Sequence, residues 1–278
     1  MAMVAEAIRR NNILAEWLAF FTQVLIAISV EVGDDLGRGL IAQHGGIVGN
    51  TNALSIVSFE AHHGFWVEPA WQMFFERTHH LFLFTLTWPE AMRIWNGVYV
   101  GGHVFVTLGT AAWVYFFRRP AFAFVRNVMI LTNVFALCIY ERFPVAPPRL
   151  TQELVFNHHP FTFQDTVFGM MNSSGQIIGT QTGYNELSAM PSVHMAWALI
   201  VGATIVALAG SPVVKVLGAM YPAIMLVAVV VTANHYLLDA VGGLFVVIAA
   251  TIAAFGLERY VKRLAHLWRG GPLEAPAP

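Results

Sequence analysis

Two histidines and a carboxylate stand where apolar segments of this chain meet. His235 and Asp239 lie in NHYLLDAVGG (234–243), between the runs MLVAVVVTA and LFVVIAATIAAF. Four residues apart, they share a face of any helix that starts near Asn234, within hydrogen-bonding reach. A carboxylate on one ring nitrogen fixes the tautomer and leaves the other nitrogen free as a nucleophile or base. The plainer reading is an ion pair that caps a helix start. Ionisable groups inside a membrane are costly and tend to be functional, which favours chemistry.

Two further stretches have the same character. In AMPSVHMAWAL (189–199), Pro191-Ser192 reads as a helix start, so His194 projects from the first turn. A phosphate beside Ser192 and His194 would meet free backbone N–H groups there. His194 alone could equally be a satisfied interfacial histidine, and it gains weight from the second imidazole at another helix end. In ERFPVAPPRL (141–150), Arg142 and Arg149 bracket three prolines that stiffen the backbone. Paired guanidinium groups held in this way suit phosphate oxygens; snorkelling at a membrane boundary is the alternative.

These residues need elements to hold them, and the composition says which. Of 278 residues, 57% are hydrophobic and 11% charged. Soluble domains carry roughly a quarter charged residues, so the chain reads as a membrane protein. Apolar runs long enough to cross a bilayer fall at about 12–32, 96–117, 121–141, 192–209, 212–233 and 236–257. The fold class expected is therefore all-α, a six-helix membrane bundle. It forms one domain over 1–270, with an interfacial or re-entrant helical cap at 33–95, an outer loop at 142–191 and a disordered tail at 271–278. The first run lacks a small-residue cleavage site and is not a signal peptide.

Lys and Arg placement sets the orientation. Ten basic residues, Arg9, Arg10, Arg118, Arg119, Arg126, Lys215, Arg259, Lys262, Arg263 and Arg269, fall on one side, against Arg38, Arg77, Arg93, Arg142 and Arg149 on the other. Both termini are expected in the cytoplasm, with the three chemical stretches on the extracytoplasmic face. The net charge of −1 gives no reason to expect nucleic acid, and the single cysteine, Cys138, allows no intrachain disulfide.

The three stretches resemble, in order, the signature motifs of the type-2 phosphatidate phosphatase superfamily of membrane lipid phosphatases and phosphotransferases. Arg142 and Arg149 reproduce its first motif, with Arg for the usual Lys; Pro191-Ser192-Val193-His194 matches Pro-Ser-Gly-His with Val for Gly; His235 and Asp239 match the closing His-x-x-x-Asp. The variants FPVAPPRL, PSVHMAW and NHYLLDAVGG are most similar to the inositol-phosphorylceramide-synthase-like branch. The resemblance implies phosphoryl transfer through a phosphohistidine on His235, oriented by Asp239. It implies His194 as acid and base, and Arg142, Arg149 and Ser192 on the phosphate. No metal or other cofactor is implied. The partners are a phospholipid donor and an alcohol, lipid or water acceptor; the oligomeric state is left open.

One departure bears on the substrate. Where the phosphatases carry Ser-Arg before the third motif, this chain has Ala228 and Val229, and Leu150 follows Arg149 in place of Pro. One cation fewer suits a singly charged phosphodiester better than a dianionic monoester, unless Arg38, Arg77 or Arg93 folds back. Asn96, Tyr99 and His103 share a helix face and are candidates for the headgroup pocket or for helix–helix bonds. Glu60, Glu68 and Asp165 are candidates for sugar or polyol hydroxyls. The pairs His62-His63, His79-His80 and His158-His159 point in opposite directions within a helix, which disfavours a metal site. Rival readings are a lipid monoester phosphatase, a lipid or ion transporter using the same charges as a pathway, and a membrane di-iron oxygenase suggested by the eleven histidines.

Overall fold

In the computed structural model the described residues are 16–26, 29, 32–33, 36, 46–75, 77, 79–80, 85–151, 153–167 and 187–268. The described residues are mostly helical. Helix α1 is Glu16–Ile26, α2 Gly46–His62 and α3 Glu68–Phe75. Helix α4, Trp88–Asn96, passes through a π turn at Gly97–Gly102 into α5, His103–Phe117. Then come α6 Arg119–Arg142, α7 Val193–Leu208, α8 Pro212–Val231 and α9 Leu237–Trp268. Two small antiparallel pairs, β1 (His79–His80) with β2 (Thr85–Leu86) and β3 (Leu154–Phe156) with β4 (His159–Phe161), fill the connections. The β3–β4 hairpin turns on Asn157 and His158, both at positive φ (50° and 65°), as a two-residue turn of matching twist requires.

Local chemistry starts the helices. The Glu90 carboxylate accepts the Thr87 N–H at 2.9 Å and its hydroxyl at 2.7 Å, fixing the entry to α4. Ser192 caps α7, its Oγ accepting from the Met195 N–H at 3.3 Å. Proline at the start of α4, α6 and α8 removes an N–H that would have no helical partner.

Helix α7 is the hub, packed against α5, α6, α8 and α9. Its approach to α8 depends on two glycines: a Cβ on Gly202 would lie 2.6 Å from the Gly218 carbonyl. Small residues at such crossings are how helices associate without a hydrophobic drive. Large apolar side chains elsewhere point outward, Phe105 at 77% exposure and Ile252 at 67% among them. On a water-facing surface that would be anomalous; on a lipid-facing one it is expected.

Four elements are long and apolar enough to cross a membrane: Trp88–Phe117, Arg119–Arg142, Pro212–Val231 and Leu237–His266. They correspond to four of the six expected spans. The expected span 192–209 is α7, apolar but only 16 residues long. The expected span 12–32 is helical over Glu16–Ile26 and lies partly outside the described residues. The second span begins at Trp88, earlier than expected, because the π turn carries the backbone on without a break. Residues 88–95, expected within the 33–95 cap, therefore continue a membrane-length helix, and the regular elements described in the rest of that segment are α2, α3 and the β1–β2 pair. The tail at 271–278 and much of the 142–191 loop lie outside the described residues.

Candidate active site

The FPVAPPR segment leaves α6 and is held by its backbone on three sides. Asn52 Nδ2 donates to the Pro144 carbonyl at 2.8 Å, and the Ala146 N–H donates to Gly49 at 3.1 Å, both on α2. Val145 exchanges hydrogen bonds with the strand-like run at 187–189 (2.8 and 3.1 Å). At its end the Arg149 N–H donates to the Ala233 carbonyl at 3.0 Å. Ala233, just past α8, has φ of +55°, a left-handed turn that brings the 232–236 segment back over the helix end.

Arg149 is thereby fixed, only 8% exposed. Its Nε donates to Asn234 Oδ1 at 3.0 Å and its Nη1 to Asp165 Oδ2 at 3.3 Å. Asn234 is held in turn by its Nδ2 on the Thr232 carbonyl (3.1 Å) and hydroxyl (2.9 Å). The loop bearing Asp165 is pinned on both sides. Gln72 bridges to the Gln164 main chain at 2.8 and 3.0 Å, and Asn96 exchanges hydrogen bonds with Thr166 at 2.6 and 3.0 Å. Both ends of the Asn96 amide are thus engaged with Thr166, which makes it a tie between helix and loop.

His235 follows Asn234, and both of their N–H groups donate to the Val229 carbonyl at 3.1 Å. Its Nδ1 lies 2.8 Å from the Ala189 carbonyl and 3.4 Å from Asp239 Oδ2. With an acceptor on Nδ1, the proton belongs there and Nε2 carries the free lone pair. Asp239, expected to orient the ring, thus stands beside the Ala189 carbonyl, which is nearer, and the same Asp239 oxygen accepts the Tyr236 N–H at 2.8 Å. His235 also sits before the first residue of α9, so the pair spans the helix cap instead of stacking on one face.

His194, in the first turn of α7, faces His235 with ring centroids 5.8 Å apart. It stacks on Tyr99 at 4.2 Å and meets His103 at 4.4 Å, while His103 lies 5.2 Å from Trp197. Trp197 Nε1 donates to Asn133 Oδ1 at 2.9 Å. Tyr99 and His103, expected near a headgroup, are placed against His194 and are both buried. Two imidazoles at this separation can address opposite sides of one reacting atom, and Arg149 lies one residue from the second of them in the hydrogen-bonded chain.

The other expected residues have varied surroundings. Arg142 is exposed on the last turn of α6, unlike buried Arg149. Ser192 is fully buried and its Oγ accepts the α7 cap bond. Val229 is fully buried among Tyr99, Met195 and Met225, so apolar packing occupies the position where the phosphatases have arginine. Arg77 and Arg93 are exposed, the latter donating to Pro89 on its own helix at 3.2 Å; Arg38 lies outside the described residues.

Glu60 and Glu68, expected on a polyol headgroup, are both fully buried. Each spends Oε1 on the start of α9, Glu60 on the Leu238 N–H at 2.7 Å and Glu68 on the Leu237 N–H at 2.6 Å. Burial first, and the neighbouring Glu68 second, push the Glu60 carboxyl up to about 9. Burial raises Glu68 as well.

These elements define an integral membrane protein with a paired-imidazole site anchored by one buried guanidinium. A family model described as the PAP2 superfamily matches residues 65–253, and the chain belongs to that superfamily. It is a phosphatase-type enzyme whose substrates are membrane lipids. Comparison with curated proteins and with solved structures gave no match.

Proposed function

We propose that this protein transfers a phospho-headgroup from a phospholipid to an alcohol acceptor, by way of a phosphohistidine on His235. The carrying observation is the cation count. Among the described residues Arg149 is the one buried arginine, and fully buried Val229 fills the position of a second. A singly charged phosphodiester matches one guanidinium already shared with Asp165; a dianionic monoester asks for more.

In the proposed reaction His235 Nε2 attacks phosphorus and an N–P bond forms. The bond from phosphorus to the lipid alcohol oxygen breaks, and His194 gives that oxygen its proton. The acceptor alcohol then loses its proton to His194 and attacks phosphorus. The N–P bond breaks, His235 is regenerated, and the headgroup leaves as a new phosphodiester. Arg149 stabilises the non-bridging oxygens as charge builds on them, and the Ala189 carbonyl and Asp239 stabilise the charged imidazole. The motif variants support the inositol-phosphorylceramide-synthase-like branch, with a polyol headgroup such as phosphoinositol. The basic-residue bias supports termini in the cytoplasm and a site on the opposite face.

The test is to incubate purified protein with labelled phosphatidylinositol or phosphatidic acid, with and without an alcohol acceptor, and separate the products. Transfer of the headgroup is expected, abolished in His235→Ala. Faster release of inorganic phosphate from the monoester than cleavage of any phosphodiester would refute the transfer reading.

A further inference from the structure

We infer that Glu60 and Glu68 form a one-proton clamp that positions His235 by holding the first turn of α9. Glu60 precedes the residues matched by the family model, so family membership does not supply this clamp. The inference rests on His235 as the nucleophile; the hydrogen-bond geometry beneath it does not.

The first N–H groups of a helix have no partner within it. At α9 three successive ones are taken by carboxyls from three places: Tyr236 by Asp239 at 2.8 Å, Leu237 by Glu68 at 2.6 Å and Leu238 by Glu60 at 2.7 Å. Glu60 comes from the end of α2 and Glu68 from the start of α3, so the two helices grip α9 from outside. The remaining oxygens, Glu60 Oε2 and Glu68 Oε2, are buried without a donor. Two fully buried carboxylates side by side cannot both ionise. One proton between these oxygens satisfies both, and it leaves each Oε1 free to accept its backbone N–H. The titratable groups facing the pair are Asp239, Tyr236 and, through Asp239, His235.

The clamp reaches the reacting nitrogen along a short path. Leu237 is two residues from His235, and Tyr236 is packed with Ala53, Ile56 and Val57 of α2 and with Ala189 in one apolar cluster. Ala189 is the residue whose carbonyl holds His235 Nδ1. Helix α2 therefore sets both the ring's backbone and the acceptor that orients it.

The test uses the full chain in mixed micelles with whichever phospholipid ester it turns over. E60A/E68A removes both acceptors. Hydrogen exchange at Tyr236, Leu237 and Leu238 should accelerate by about tenfold or more, and kcat should fall by about a hundredfold with KM nearly unchanged, as a misplaced nucleophile predicts. E60Q and E68Q each keep an Oε1 acceptor and put an amide N–H in place of the shared proton. Each should keep those amides protected and retain at least roughly a third of kcat at neutral pH, a loss of under about 1 kcal/mol. Wild-type kcat should decline above about pH 9, and E60Q should flatten that decline. Unchanged exchange in E60A/E68A would overturn the clamp. So would E60Q raising KM at constant kcat, because the carboxylate would then be touching substrate. If E60A/E68A does not fold, E60Q/E68Q decides: protected amides with the alkaline decline gone support the clamp, and a wild-type pH profile refutes it. Full activity in His235→Ala would sink the nucleophile assignment and leave the exchange result standing.

Discussion

Gly243→Ala is the sharpest test of the site's construction. A Cβ at this position in α9 would lie 2.6 Å from the Ser192 carbonyl and 3.3 Å from the Ala196 N–H nitrogen, both on the main chain of the α7 start. Ordinary van der Waals separation is about 3.5 Å, so the added carbon is nearly 1 Å too close. No flexible side chain can yield there, and the Ser192 N–H is itself bonded to the Asp239 carbonyl at 2.9 Å. The helices must part by a good fraction of an ångström. Ser192 is two residues from His194, and Gly243 lies two turns from His235, so the gap opens between the two imidazoles, now 5.8 Å apart. Overpacking of this kind costs about 1–3 kcal/mol in stability, whereas a misplacement of about 1 Å between reacting groups costs about a hundredfold in rate. The expected result is a folded protein, with a modest fall in melting temperature, whose kcat drops by about two orders of magnitude. Gly256→Ala, where an added Cβ meets nothing within 4 Å, is the control on the same helix and should change neither. If Gly243→Ala turns over at the wild-type rate, the α7–α9 approach is not what sets the distance between the rings.

Asn234→Ala removes the acceptor of Arg149 Nε; a hydrogen bond to a charged group contributes about 1.5–3 kcal/mol. The expected loss in kcat/KM is therefore about 10- to 100-fold, and steady-state kinetics on folded protein checks it. Melting temperature should fall as pH rises from the ordinary carboxyl value of 4.5 towards about 9. The sign follows from Glu60 holding its proton in the folded chain over a range in which the unfolded chain has lost it, so alkali favours unfolding. Thermal melts across that range should show the slope in wild type and a flatter one in Glu60→Gln.

Much of the site was legible because its residues carry chemistry at short range. The Pro-Ser-Val-His turn, the His-x-x-x-Asp cap and the proline-stiffened arginine each declare themselves within ten residues, and hydrophobic length alone located the long helices. What escaped notice was carried by backbone or by distance. The Ala189 carbonyl on His235 has no side-chain signature, so of the two groups at Nδ1 the sequence pointed only to Asp239. Asn234 stood beside His235, but nothing local pairs it with Arg149, 85 residues away. Glu60 and Glu68 looked like headgroup ligands because isolated carboxylates in an aromatic, interfacial stretch usually face water. Their actual partners are helix N–H groups 178 and 169 residues on, which no periodicity could reveal. The short α7 span has a similar cause: as the bundle's hub it packs against α5, α6, α8 and α9 and needs no long lipid-facing stripe.

The partner of Arg149 has consequences for substrate choice. Asp165 Oδ2 lies 3.3 Å from Nη1, with the arginine side chain 2% exposed and the aspartate's 24%. The carboxylate already neutralises part of the only buried guanidinium among the described residues, so this guanidinium offers an incoming phosphate less than one full positive charge. A phosphodiester needs little more; a monoester brings a second negative charge that no other buried guanidinium among the described residues offsets. Asp165→Asn keeps the size and an oxygen acceptor while removing the opposing charge, and the pinned neighbours Gln164 and Thr166 keep the loop in place. A partly exposed pair of this kind is worth roughly 1 kcal/mol, so kcat/KM for phosphatidic acid should rise about fivefold relative to that for a phosphodiester lipid. The ratio, measured with both substrates on one preparation, cancels differences in active fraction. A ratio unmoved by the substitution would mean that charge at Arg149 does not select between the two esters, and the case for a phosphodiester donor would lose its physical basis.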